Sequence, residues 1–320
     1  MRRADSQVDA PRVEHGVRLG PFLRELTGGK GAARRARSPD EQPLVSCLMV
    51  ARPTASRFRL FARSLRGYLA QTHSNRELII VMSHLSRRDR RAAVQHVRQL
   101  GRPDIRVRYV AGNPSLGRLR NIGVDMAAGD LCCQWDDDDI YHPLRLEIPL
   151  TAMRRAGRRG VFLQTLLQFF EKEHKLFIQD WSFYPSPYNC HPGTGIVAKD
   201  PELRYPVRGA DARRGEDAIF MVRHRKRHGH VLLKTHPYLY AYVYHGTNTW
   251  NHDHHREQAR VLACSRAAIT RMRDDLEIHL GQLELPAGRI KVMSAEGLAF
   301  VWHNRRPSRA VRTAQLLQGI

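Results

Sequence analysis

Residues 134–143 read Gln-Trp-Asp-Asp-Asp-Asp-Ile-Tyr-His-Pro. Four like charges in a row repel one another, so a fold that keeps Asp136, Asp137, Asp138 and Asp139 together must supply something cationic. Hard divalent cations such as Mg²⁺ and Mn²⁺ favour carboxylate oxygen and take one or two protein carboxylates plus substrate phosphates. The run therefore reads as a metal–diphosphate site. The alternative is a solvated acidic turn in which Asp139 caps a helix that begins near Pro143. Just upstream, the apolar Leu131-Cys132-Cys133 reads as a buried strand, and ligands in open α/β sheets bind at the carboxyl ends of strands.

The elements that would position this run follow from residue 43 onward. Residues 44–50 (Leu-Val-Ser-Cys-Leu-Met-Val) form a buried-strand pattern, and residues 57–71 place Phe58, Phe61, Leu65, Tyr68 and Leu69 on one helical face. Further strands are expected at 77–82, 105–110 and 131–135, with helices at 87–100 and 115–128, the latter ended by Gly129. Such alternation argues for a mostly parallel α/β sheet with right-handed crossovers. Beyond it the pattern predicts a helix from Pro143 to about Ala156 and an antiparallel hairpin from 161–170 and 175–181. A Pro/Gly/Asn/His-rich loop at 184–195 suits a binding surface. A helix at 215–228, strands at 231–234 and 239–244, and helix from about 254 to 281 complete the reading, the last forty residues being poorly readable.

The bulk numbers set limits. A chain of 320 residues with 42% hydrophobic content can bury a full core. No apolar stretch approaches the ~20 residues of a membrane span, and no apolar core follows the initial Met-Arg-Arg, so a secretory signal is not expected. The five cysteines show no metal-ligand spacing, which points to a reducing, cytoplasmic setting. A net charge of +22 attracts polyanions, although arginine bias across the whole sequence would give the same value. Residues 1–42, with Arg34-Arg35-Ala36-Arg37, read as a flexible basic arm.

In order and spacing the segments 44–54, 68–81, Arg120-Asn121-Ile122-Gly123, Trp135 to Asp139, Gly215-Glu216-Asp217 and Tyr244 to Thr249 resemble a family 2 glycosyltransferase with the GT-A fold. The resemblance runs from about residue 43 to 250 and implies three parts. These are the arm (1–42), a glycosyltransferase domain (43–250, with a nucleotide-sugar half 43–142 and an acceptor half 143–250), and a helical carboxyl-terminal extension (251–320). It implies inverting transfer from a nucleotide diphospho-sugar to a hydroxyl of a glycan or lipid-linked acceptor, in the setting of a cell-envelope polysaccharide. The family's Asp-x-Asp falls on Asp136 and Asp138: Asp138 would hold Mn²⁺ or Mg²⁺, Asp136 would lie nearer the ribose, and Asp137 remains an alternative register. Asp217 matches the catalytic base, with Glu216 orienting acceptor or cation; the alternative is that both merely complement a helix dipole. Arg120 suits phosphate or a salt bridge. His245 could serve the metal, the diphosphate or the core.

The chain departs from the family pattern after its second strand, where Val81-Met82-Ser83-His84 lacks the usual carboxylate. Base recognition would then come from Ser83, His84, backbone groups or residues near Arg52. The run His252-Asp253-His254-His255 matches no zinc spacing and reads as a solvated helix start with Asp253 near the cap. Peripheral contact with an anionic membrane is a partner expectation, whereas nucleic acid is not. The competing reading is a catalytically inactive basic module for an anionic partner. A dinucleotide-dependent oxidoreductase is a poor reading, because Ala51-Arg52-Pro53-Thr54 after Val50 contains no glycine.

Overall fold

The computed structural model describes residues 42–305; the basic arm read at 1–42 falls almost wholly outside them. Two mixed sheets share one core. The first half alternates as its sequence requires: β1 (Val45–Ala51), α1 (Phe58–Leu69), β2 (Arg76–Met82), α2 (Arg87–Gln99), β3 (Ile105–Tyr109), α3 (Leu116–Met126) and β4 (Leu131–Gln134). Ser86 and Ser115 cap α2 and α3 by accepting the Asp89 and Arg118 amides. The remainder comprises β5 (Ile140–Tyr141), α4 (Glu147–Arg155), β6 (Gly160–Leu163), β7 (Thr165–Phe170), β8 (Lys175–Asp180), β9 (Ile196–Ala198) and α5 (Glu216–His228). After it come β10 (Val231–Leu233), β11 (Tyr240–Tyr244), α6 (His252–Leu262), α7 (Arg266–Arg271), α8 (Arg273–Leu280), β12 (Gly288–Ser294) and β13 (Gly297–Asn304).

The seven-stranded sheet runs β10-β6-β9-β4-β1-β2-β3, with β3, β2, β1 and β4 mutually parallel and β9 antiparallel to β4 and β6. From β1 the chain winds one way to β2 and β3, then returns to place β4 on the opposite side. That reversal opens a crevice beyond the carboxyl ends of β1 and β4. The expected α/β class and mostly parallel first-half sheet are thus present. The six-stranded sheet runs β13-β12-β8-β7-β11-β5.

Three local expectations change. Residues 161–170 are not one hairpin arm: the chain breaks at Gln164, β6 joining the first sheet and β7 the second, where only β7 pairs with β8. The helix foreseen from Pro143 starts at Glu147, with Leu146 as a non-bonding cap. The carboxyl-terminal extension is helical only through Leu280; β12 and β13 then form a hairpin that adds to β8. Among the described residues no helix is long and apolar enough to cross a membrane.

Candidate active site

The acidic run leaves β4 directly into the crevice, and aromatic packing holds its root. Trp135 is fully buried, stacks on Tyr141 with centroids 3.8 Å apart, and meets Tyr68 edge-on at 6.1 Å. Its amide also donates to Leu48 of β1 at 3.0 Å, continuing the strand pairing.

The four aspartates are not a solvated turn; each has its own partners. Asp136 accepts both terminal nitrogens of Arg120 at 3.2 Å on Oδ1 and the Gln134 amide at 3.0 Å on Oδ2. Asp137 accepts the Arg52 backbone amide and an Arg57 terminal nitrogen, both at 2.9 Å. The same Arg57 nitrogen donates to Asp138 Oδ2 at 3.0 Å, where His245 Nε2 also lies at 2.9 Å. Asp139 caps no helix: it is 1% exposed, takes the Tyr240 hydroxyl, and accepts the Val243 amide at 2.8 Å.

Those environments drive three of the four carboxyls apart. Burial and the adjacent Asp138 push Asp137 up to about 6. Asp138 is desolvated too, yet the His245 hydrogen bond and the Arg57 charge outweigh burial and hold it below the ordinary value. Burial, with Asp138 and Asp136 nearby, drives Asp139 well upward.

A second acidic pair closes the site. Glu216 and Asp217 open α5, and Glu216 Oε1 accepts Arg120 Nε at 2.8 Å, so one buried guanidinium joins α5 to the run. Burial and Asp217 raise Glu216 to about 7 against the pull of Arg120. Asp217 is half-buried and accepts its neighbour's amide, Ala218 N–H, at 2.8 Å. It also interacts with the Gln134 side chain, and burial, opposed by Arg120 and reinforced by Asp136, raises its carboxyl. Gln134 therefore touches both Asp136 and Asp217. The structure brings Arg120, Asp136, Glu216 and Asp217 into one network, with Asp138 and His245 in a second beside it.

Other expected residues sit elsewhere on the rim. The Arg52 side chain is exposed and contributes its backbone amide alone to the acidic run. Ser83 Oγ lies 2.9 Å from His84 Nδ1, and His84 Nε2 lies 2.8 Å from Asn113 Oδ1. His84 adopts φ 54°, a left-handed conformation uncommon outside glycine and asparagine. In the histidine run, Asn251 rather than Asp253 caps α6, and His255 is fully buried between Tyr242 and Tyr244. Sequence reasoning missed Arg57, one arginine among many at a helix start. It also missed Gln134, which only its position before the run could have flagged. Among the described residues, no three histidine, cysteine, aspartate or glutamate side chains converge as a ready-made metal cage.

Residues 51–193 match the family model described as Glycosyl transferase family 2. The chain therefore carries a family 2 glycosyltransferase domain. No curated protein matches it. Among solved structures it is similar to TarS 1–349 of S. aureus in complex with UDP-GlcNAc, at 12% identity over 77% of this chain and 68% of that one, TM-score 0.49. It is also similar to the mannosyltransferase PcManGT of Pyrobaculum calidifontis in complex with GDP-Man and Mn2+, at 14% identity over 74% and 66%, TM-score 0.46. Likeness at this level adds nothing to the reading of individual residues.

Proposed function

We propose that this protein transfers a sugar, with inversion, from a nucleotide diphospho-sugar held beyond β1 and β4 to a hydroxyl acceptor, with Asp217 as base. The observation that carries the reading is the Arg120 bridge, which sets the half-buried Asp217 beside the acidic run. An inverting transfer needs one carboxylate to take the acceptor's proton as its oxygen attacks the anomeric carbon and the diphosphate leaves. Burial keeps the Asp217 carboxyl more basic than a free one, which favours that transfer. Arg120 and Glu216 position the carboxylates and need touch no substrate.

The residues fit a divalent ion of modest protein coordination. Asp138 supplies the carboxylate, and His245, whose Nδ1 accepts the Thr247 amide at 3.3 Å, turns its Nε2–H to that carboxylate at 2.9 Å, so Mg²⁺ or Mn²⁺ would complete its shell with donor phosphates and water. Bound there, the ion would neutralise charge gathering on the leaving diphosphate. Asp136 is directed to Arg120 instead, so we assign it to positioning rather than to the ion. Arg57 adds a fixed positive charge at the same carboxylate. Base recognition falls to the Ser83–His84–Asn113 corner at the end of β2. The acceptor would be a glycan or lipid-linked sugar approaching from the 184–195 loop.

A thermal-shift panel of UDP, GDP, CDP and dTDP with and without Mn²⁺, on wild type and Asp138→Asn, tests this. A ligand at about 100 times its dissociation constant adds about 2.7 kcal/mol. The expected result is a Mn²⁺-enhanced shift with one nucleotide that the variant loses. No shift with any nucleotide would contradict the reading and favour a basic binding module.

A further inference from the structure

The outer edge of the first sheet, at β3, combines free positive charge with an apolar cleft. On one face α2 exposes Arg87, Arg88, Arg91 and Arg98; on the other, Arg108 of β3 and Arg118 of α3 are exposed. None of these six forms an ion pair with a described residue, whereas the nearby acids are engaged. Ser86 Oγ donates to Asp89 at 2.8 Å, and Asp125 pairs with Arg204 at 2.6 Å. Arg90 lies over the Tyr109 ring at 4.6 Å and ties α2 to the edge strand. Arg108 and Arg118 line a cleft of about 480 Å³ together with Val110, Ile122, Met126 and the Arg204-paired Asp125.

Exposed arginines on a helix are ordinarily just solvated. Here two of them share a cleft with the apolar Val110, Ile122 and Met126, a pairing suited to an amphiphile with an anionic head. Single-stranded nucleic acid would want exposed aromatic platforms for its bases, and Arg90 covers the one aromatic ring of this edge. We propose that the β3 edge docks on an anionic phospholipid bilayer, the six arginines meeting phosphate headgroups and the cleft accepting the apolar part of a lipid. The carboxyl end of β3 and the first turns of α2 and α3 lie at the same end of the sheet as the crevice. Docking there would therefore bring the donor site to the membrane surface. This deepens the proposed function, whose lipid-linked acceptor it would place within reach.

Flotation of the full chain with phosphatidylglycerol-containing vesicles and with pure phosphatidylcholine vesicles, at low and raised salt, tests the assignment. Two double variants, Arg88→Glu/Arg91→Glu and Arg108→Glu/Arg118→Glu, accompany the wild type. Wild type should float with the anionic vesicles alone and lose binding as salt rises. Each arginine near such a surface contributes roughly a fivefold factor, so each double variant should lose roughly 25-fold or more in vesicle affinity. Retention of wild-type flotation by both variants would overturn the proposal by moving the contact to another part of the chain. Binding of the wild type to single-stranded RNA without vesicle binding would overturn it as well. The nucleotide thermal shift of the variants separates the two claims: a normal shift with lost flotation supports the docking edge. Absence of a shift in wild type would sink the transferase reading while leaving the flotation result to stand.

Discussion

The two walls of the crevice are built from opposite chemistry. On the β1–β4 wall the side-chain contacts that hold the acidic run are ion pairs: Arg57 on Asp137 and Asp138, Arg120 on Asp136 and Glu216. On the wall made by the 184–195 loop, β11 and α6, the groups are neutral rings. Tyr242 lies between His191 and His255, with centroids 5.1 and 4.9 Å away, and Trp181 meets His191 edge-on at 5.1 Å. Burial lowers both imidazoles to about 3, so they stay uncharged at neutral pH. A charged wall suits a diphosphate; a rigid wall of aromatic and imidazole rings suits a neutral sugar. On the proposed reading the difference separates donor from acceptor.

The largest expected effect breaks the charged wall. Arg120→Ala would leave Glu216 and Asp136 without their buried cation, and unfolding free energy should fall by about 3–5 kcal/mol. Adding Glu216→Gln should recover part of that loss in urea titrations. Little change in the single variant would mean that the bridge is not stabilising. A smaller effect is a rate limb. Because the base must be ionised and burial raises Asp217, nucleotide release should climb about tenfold per pH unit below that group's raised pKa. The limb should lie above the ordinary carboxylate range; a flat profile through it would remove Asp217 from the rate-limiting proton transfer.

The subtlest prediction sets the walls against each other. Glu216 keeps its proton to about 7 in the folded protein, but only to about 4.5 when unfolded. Acidification across that window therefore stabilises the fold. His191 and His255 stay neutral down to about 3, whereas unfolded imidazole protonates near about 6.5. For them, acidification below about 6.5 destabilises. Each group would contribute roughly 1.4 kcal/mol per pH unit within its window. Thermal melts from pH 7 to 4.5 should thus shift in opposite directions for Glu216→Gln, which removes a stabilising response to acid, and His191→Phe, which removes a destabilising one. Parallel shifts would show that the two walls do not differ in this way.

Legibility in the sequence divides along the same line. The charged wall is local: the run 136–139 follows a continuous apolar strand, and Glu216-Asp217 opens a helix after a left-handed glycine, Gly215, with φ 87°. What was not legible depends on tertiary partners. Nothing in Arg57 itself distinguishes it from the exposed arginines Arg52 and Arg59 around it; only the fold folds it under the acidic run. The break at Gln164 has no proline or glycine to mark it and is set by two sheets competing for one apolar segment. Arg289-Ile290-Lys291-Val292 does alternate as a half-buried strand should. The run is short, however, and its register comes from pairing with β8, more than a hundred residues earlier. His255 reads as part of a solvated helix start because its burial between Tyr242 and Tyr244 has no local sign.

The most direct test of the central claim is nucleotide release from the donor sugar that the thermal-shift panel selects, for wild type and Asp217→Asn under identical conditions. Release should fall by about 10²–10⁴-fold in the variant, with its nucleotide thermal shift unchanged. Full release by Asp217→Asn would contradict the base assignment and the reading of the site built on it.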